Sequence, residues 1–220
     1  MFSKTLNPNR SDSLIANIRR QRLNLLLGFL ISQKSPIRLL DIGGTESFWK
    51  VAGFPFNNLD LKITLLNLTA QKVSLPDIVP VVGDACHMPQ YKEGNFDLVF
   101  SNSVIEHVGT FADQESMARE IQRISKRYFI QTPNRHFPIE PHFAFPFFQY
   151  LPVSLRVWLI MHFNLGWFKR IHDKAHARQI VNGIRLLNRQ ELKFLFPNAE
   201  IFEERFWGLT NSFIIYAGWN

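Results

Sequence analysis

An α/β fold is predicted, with a parallel sheet covered by helices on both faces. Three observations carry this. Short apolar strand-like runs alternate with helical segments as far as Gln131. The first of these strands runs into a double glycine, Gly43-Gly44. Two further strands close the chain without a helix between them. Strands separated by helices are joined by crossovers, and crossovers make them parallel.

Composition admits such a fold. The chain has 220 residues, 46% hydrophobic and 20% charged, which supports a sizeable core and excludes a disordered or fibrous chain. A single domain over 1–220 is expected, with an N-terminal helix over 13–32 and an insertion over 132–187. Cys86 is the single cysteine, so no intrachain disulfide can form. That fits a reducing, cytoplasmic setting. The formal charge is +7 and phenylalanine is abundant at 21 residues.

Each element has its own signal. Leu14, Ile15, Ile18, Leu25, Leu26, Phe29 and Leu30 place a broad apolar face on a helix from Ser13 to Ser32, with Asp12 or Ser13 as cap. Arg19-Arg20-Gln21-Arg22 before a short apolar run resembles a secretion signal. Asn24 interrupts that run and no small-residue cleavage site follows, so a soluble helix is expected. Arg38–Ile42 is the first strand, and Thr45–Val51 starts a helix. Lys62–Leu68, Ile78–Val82, Phe96–Ser101 and Arg127–Gln131 are the next strands. Met117, Ile121 and Ile124 mark a helix over Ser116–Ser125. Asn188 with Glu191 forms a capping box for a helix ending before Pro197. Ala199–Phe206 and Asn211–Tyr216 are strands joined through Trp207-Gly208-Leu209-Thr210. The stretch from Thr132 to Leu187 far exceeds an ordinary connection. Insertions at strand carboxyl ends commonly shape acceptor pockets.

Strand, Asp41-Ile42-Gly43-Gly44, then helix is a nucleotide-binding arrangement. Glycine admits close backbone approach, and a helix N-terminus favours an anion. The fingerprint G-x-G-x-x-G is absent, so the turn alone is a weak signal. Three blocks sharpen it: RLLDIGGTESFW, GDACHMP and FDLVFSNSVIEHV. Together they resemble the class I S-adenosylmethionine-dependent methyltransferases, type 11 branch. The resemblance spans about residues 36 to 135, and more loosely the block LLNRQELKFLFPNA. It implies a Rossmann-like, seven-stranded, mostly parallel sheet with helices on both faces and an antiparallel last strand.

The resemblance also implies roles, with S-adenosyl-L-methionine as cofactor. Asp41, Gly43, Gly44 and Thr45 would line its methionine end. Asn67 and Leu68 would meet the ribose, and Asp84 and Ala85 the adenine. Ser101 and Asn102 would sit near the sulfonium. Two departures stand out. Thr45 and Ser47 replace later glycines of the loop, and Thr45 would be strained if its position required positive φ. Asn67 stands where the family has an acidic residue, which weakens the grip on the ribose hydroxyls unless Asp60 or another group compensates. Phe48 or Trp49 could offer a ring face to the cofactor's cation or could belong to the core.

Methyl transfer needs an acceptor held in line, and a hydroxyl acceptor gains from a base. His107, in Ile105-Glu106-His107-Val108, is either such a base or a structural residue. His136, Glu140 and His142 lie in a proline-stiffened segment, with Glu140 and His142 expected to orient or deprotonate the acceptor. They could equally anchor the insertion to the sheet. No metal site is expected, because no His-Glu-x-x-His helix is present. Cys86 is expected to be a small buried residue and not a nucleophile.

The insertion is apolar from Phe143 to Phe168 and then basic through Lys169, Arg170, Lys174 and Arg178. Prolines and polar residues interrupt it, so it should not span a bilayer. It can cover the sheet edge, or contact the inner face of a membrane. The expected acceptor is a small or lipid-linked molecule methylated at oxygen. Nucleic acid is not expected: Ser101-Asn102-Ser103-Val104 stands where base methyltransferases carry Asn-Pro-Pro-Tyr. A non-catalytic binding protein of the same fold is the other alternative.

Overall fold

The computed structural model describes residues 14–31, 36–53 and 59–219. In chain order the strands are β1 (Ile37–Ile42), β2 (Leu61–Asn67), β3 (Ile78–Val82), β4 (Leu98–Asn102), β5 (Tyr128–Pro133), β6 (Ile139–Glu140), β7 (Phe145–Pro146), β8 (Glu200–Phe206) and β9 (Leu209–Ala217). The helices are α1 (Leu14–Ile31), α2 (Glu46–Val51), α3 (Phe111–Ile124), α4 (Val153–His162), α5 (Lys174–Asn182) and α6 (Arg189–Leu195). Seven strands form one sheet in the order β3-β2-β1-β4-β5-β9-β8. β1 to β5 are parallel, and β9 runs antiparallel to both β5 and β8. The expected Rossmann-like sheet is therefore present. The proposed caps Asp12 and Ser13 lie outside the described residues, as do the side chains of Leu14, Ile15 and Ile18.

Both faces of the sheet are covered, which explains why the strands read as continuous apolar runs. On one face Leu39, Leu98, Phe100, Phe129 and Ile214 meet Leu26 and Leu30 of α1 and Trp49 of α2. On the other Leu40, Val99, Ile130 and Ile215 meet Met117 and Ile121 of α3 and Leu192 and Leu195 of α6. The insertion has a third cluster, built on Phe143, Phe148, Val157, Ile160, Ala177 and Val181. Its two ends are tied by Arg135 N–H donating to the Leu187 carbonyl at 3.0 Å.

Local differences from expectation have local causes. α3 begins five residues before the expected Ser116. Thr110 caps it and Asp113 completes the capping box, so the reciprocal partner is an aspartate instead of the usual glutamate. β2 stops at Asn67, leaving Leu68 beyond the strand and 76% exposed. In the last hairpin Trp207 and Gly208 both adopt positive φ, 50° and 78°, and make a two-residue turn. Leu209 and Thr210 therefore join the strand. Among the described residues no helix is long and apolar enough to cross a membrane.

One buried ion pair fastens α1. Arg22 donates from Nε to Glu204 Oε1 at 3.1 Å and from Nη2 to Glu204 Oε2 at 2.8 Å. It also donates to Asn102 Oδ1, and Ser212 Oγ donates to Glu204 at 2.6 Å. The paired side chains are only 10% and 9% exposed. Removing one partner would strand a buried charge. Arg22→Ala is expected to cost about 3–5 kcal/mol in denaturant unfolding, and Arg22→Met with Glu204→Leu distinctly less.

Candidate active site

The strand order reverses between β1 and β4. Connections leave these two carboxyl ends in opposite directions, so a crevice opens there. Gly43, with φ of 74°, begins the turn after β1. A Cβ on it would lie 2.5 Å from the Val104 side chain, and one on Gly44 would lie 1.7 Å from Asp41 Oδ2. Gly44 is thus required by the carboxylate beneath it. Asp41 is 1% exposed; its Oδ2 accepts from Trp49 Nε1 at 2.7 Å, while Oδ1 has no partner in the protein. Burial pushes its pKa up to about 8, against the Trp49 hydrogen bond. Thr45 lies in extended backbone at φ −132° and caps α2 by accepting from Phe48 N. The strain considered for Thr45 does not arise.

Trp49 belongs to the core, whereas Phe48 stacks on Phe100. Phe48 and Phe100 line a small pocket with Arg22, Leu23 and Asn102. Glu46 was missed by sequence reasoning. It clamps the segment after β2, accepting from Ser74 N and Leu75 N at 2.6 Å and from Lys50 Nζ at 2.9 Å. Ser74 first, then Lys50, hold its carboxyl down at about 2. Its i,i+4 spacing to Lys50 was visible in the sequence, but the reach to Ser74 was not.

Asn67 donates from Nδ2 to the Gly44 carbonyl at 3.0 Å, which leaves its Oδ1 to accept from a hydroxyl. Asp60 cannot compensate for the missing acid, because it precedes β2 and lies at the opposite, amino end of the sheet. Asp84 is exposed, with Oδ1 accepting from Cys86 N at 2.8 Å, and Ala85 beside it is buried. Burial and then the charge of Asp84 push the Cys86 thiol up to about 12, so it is no nucleophile at neutral pH. Ser101 is fully buried with Oγ 3.5 Å from the Ile42 carbonyl. Its hydroxyl is therefore closed off from solvent. Asn102 faces Arg22.

A second set of groups gathers beyond β4. Ser103 turns the chain at φ 56° and donates from Oγ to Gln131 Oε1 at 2.8 Å. A 3-10 turn over Ile105–His107 follows. Glu106 is fully buried there; Oε2 accepts from Thr132 Oγ1 at 3.0 Å and Oε1 has no partner. Burial pushes its pKa up to about 7. From the insertion, Glu140 is 2% exposed and accepts from His142 Nδ1 and from Phe143 N, both at 2.7 Å. His142 Nε2 then lies 3.1 Å from His107 Nε2, with the two rings at 90°. Gly166 lets the chain pass His142, since a Cβ there would sit 2.2 Å from the His142 carbonyl. Burial opposes charge on His142, but the Glu140 hydrogen bond and the charges of Glu140 and Glu106 outweigh it, and its pKa is raised. Burial among neighbouring groups, then the charge of His142, depress His107 to about 4, although the residue as a whole is exposed.

The fold therefore joins three of the four expected chemical residues, His107, Glu140 and His142. His136 stands apart, exposed and bonded through Nδ1 to the Tyr150 hydroxyl at 2.7 Å. Glu106 was overlooked as a site residue. Its position next to His107 was the available signal.

Sheet order and crevice define the class I methyltransferase fold. Residues 43–128 match the family described as "Methyltransferase domain". That match covers less than half of the chain; over it, and in its sheet order, the chain is similar to the class I, type 11-like S-adenosylmethionine-dependent methyltransferases. No curated protein matches it in sequence. Among solved structures it is similar to a phosphoethanolamine N-methyltransferase of Haemonchus contortus in complex with S-adenosylhomocysteine. That match has a TM-score of 0.52 and 19% identity over 83% of this chain. The chain spans only 38% of that enzyme's length. A S-adenosylmethionine-dependent methyltransferase from Aquifex aeolicus aligns with TM-score 0.53 and 12% identity, covering 98% of this chain and 95% of that one. The CurJ carbon methyltransferase aligns with TM-score 0.58 and 11% identity, covering 99% and 58%. At these identities the structures establish the fold.

The buried acid gives a signed pH dependence. Asp41 holds its proton in the folded state up to about pH 8 but releases it near 3.8 when unfolded. Folded protein thus binds more protons between these values, and stability falls as pH rises through that window. Asp41→Asn removes this loss. Thermal unfolding of the variant between pH 5 and pH 8 is expected to be flatter than that of the natural chain.

Proposed function

We propose that the chain transfers a methyl group from S-adenosyl-L-methionine to an oxygen of a small or lipid-linked acceptor. The observation that supports this most is the unpartnered, fully buried Oδ1 of Asp41 beneath the Gly43-Gly44 turn. An acceptor atom left without a donor fits the ammonium of the cofactor's methionine end. Asn67 Oδ1 and the exposed Asp84 fit a ribose hydroxyl and the adenine amine. Once bound, the cofactor supplies an electrophilic methyl on sulfur. Glu140 fixes the His142 ring through Nδ1, which aims Nε2 towards His107. The imidazole pair can then take up the proton of an acceptor hydroxyl as the oxygen attacks.

The insertion supports the lipid-linked reading. Leu155 and Trp158 on α4 and Phe163 just after it are 40–50% exposed, and Trp167 is 60% exposed. Lys169, Arg170, Lys174 and Arg178 follow, all exposed. Aromatic rings beside basic side chains suit the anionic inner face of a membrane. The basic residues follow the rings without interleaving, which disfavours stacking on nucleic acid.

Calorimetric titration with S-adenosyl-L-methionine is the primary test, and absence of binding at millimolar cofactor would leave a non-catalytic protein. Asp84→Ala is expected to weaken binding about tenfold, the worth of one hydrogen bond to a charged group. His142→Gln should lower turnover by about 10²–10⁴-fold while cofactor affinity stays within a factor of about two. Equal loss of both would remove His142 from the chemical step. Sedimentation with phosphatidylserine vesicles should be weakened by Trp158→Asp; binding that the substitution leaves intact would dismiss the lipid contact through α4.

A further inference from the structure

We propose that Glu106, His107 and His142 form a binding site for a divalent transition-metal ion of the zinc class. The proposal deepens the methyltransferase reading by assigning the same cluster a Lewis acid. Three observations converge. Ligand atoms of the three residues all lie within 4.8 Å of one another. The two imidazole Nε2 atoms face each other at 3.1 Å, with the ring planes perpendicular. Two nitrogens on one tetrahedral zinc, each bound at 2.0–2.1 Å, lie roughly 3.3 Å apart. Glu106 is 0% exposed and its Oε1 is left without any protein donor.

The surroundings fit a metal better than a bare proton relay. Glu140 Oε1 accepts from His142 Nδ1 at 2.7 Å, which places the imidazole's N–H on Nδ1. That leaves the Nε2 lone pair of His142 aimed at the opposing ring. Without metal, one proton must sit between the two nitrogens; metal binding displaces it. The carboxylate behind a ligating imidazole also raises its donor strength and fixes its tautomer. Phe143 N in turn holds Glu140 at 2.7 Å, and Thr132 Oγ1 holds the other Glu106 oxygen at 3.0 Å. The ligands thus arrive oriented from two elements, the turn after β4 and the start of the insertion.

Two imidazoles and one carboxylate suit zinc, iron(II) or cobalt(II) and disfavour magnesium, which prefers oxygen donors. Three protein ligands leave one coordination position free, and His107 is exposed to solvent. An acceptor hydroxyl or phenol placed there would have its pKa lowered, so that its oxygen attacks as an alkoxide or phenoxide. With both imidazoles held as ligands they no longer take the hydroxyl proton, as they would in the metal-free site; it leaves to solvent, the O–C bond forms, and the sulfonium S–C bond breaks, with the electron pair remaining on sulfur.

The test uses the full chain stripped with a chelator and titrated with Co²⁺, followed by visible absorption. One equivalent should bind with an intense d–d band that Zn²⁺ abolishes. His107→Ala and His142→Ala should each lose the band, whereas His176→Ala on α5 should keep it. Glu140→Gln should weaken binding about 10–100-fold without eliminating it. Glu106→Gln preserves shape and removes the anionic ligand, so it should weaken binding at least about tenfold even if an alanine variant misfolds. No stoichiometric cobalt binding would overturn the proposal. So would a band unchanged by the His107, His142 and Glu106 substitutions, which would mark adventitious surface binding only. Cofactor titration of the same samples reads the methyltransferase assignment separately.

Discussion

The parallel pairing of β1 with β4 is the constraint on which the site depends. Its register sets Asp41 opposite Phe100 and Ile42 opposite Ser101, so both strands end at one level. The glycine turn after β1 and the turn carrying Glu106 and His107 after β4 are then neighbours. They touch directly: a Cβ on Gly43 would strike Val104. A one-residue slip in this pairing would reverse which side chains face each helical layer, and the two buried faces forbid it. The groups at the ends of β1 and β4 are therefore fixed relative to each other by sheet hydrogen bonds, while loop contacts only refine them.

Buried carboxyls mark the two halves of the site in the same physical way. Asp41 and Glu106 each have one oxygen satisfied by the protein and one left without a donor. Burial raises both pKa values. Native interiors rarely leave such atoms unpaired, because each costs free energy. Asp41 lies near the end of β1 and Glu106 in the turn after β4; under the two proposals above, an ammonium at one and a metal at the other would satisfy the free oxygens. Glu140 differs. It is equally buried, but both of its oxygens accept hydrogen bonds, from His142 Nδ1 and Phe143 N, so in the proposed chemistry its part is to position His142.

The insertion and α1 complete the site from opposite sides. α1 is held by the Arg22–Glu204 pair, and the same guanidinium reaches Asn102 at the end of β4. The insertion carries its own apolar cluster and delivers His142 through a short hairpin. Its exposed rings are surplus to that cluster, which is why they belong to the question of the acceptor and its surroundings.

Much of the architecture was legible in the sequence because it rests on local patterns. Alternating strand and helix runs determined the sheet, Gly43-Gly44 the turn, and Asn188 with Glu191 the cap of α6. Glu140 and His142 stood out by their place in the proline-stiffened stretch from Pro133 to His142, but their mutual hydrogen bond did not. What only the tertiary structure decided involves residues far apart in the chain. His107 and His142 are 35 positions apart and meet through their Nε2 atoms; Arg22 and Glu204 are separated by 182. Residue type alone could not separate His136 from His142, nor show that Ser101 is fully buried while Glu106 is buried with a free oxygen. Those outcomes depend on which side chains packing removes from water, and that is decided by the assembled sheet and its insertion and not by any local run of residues.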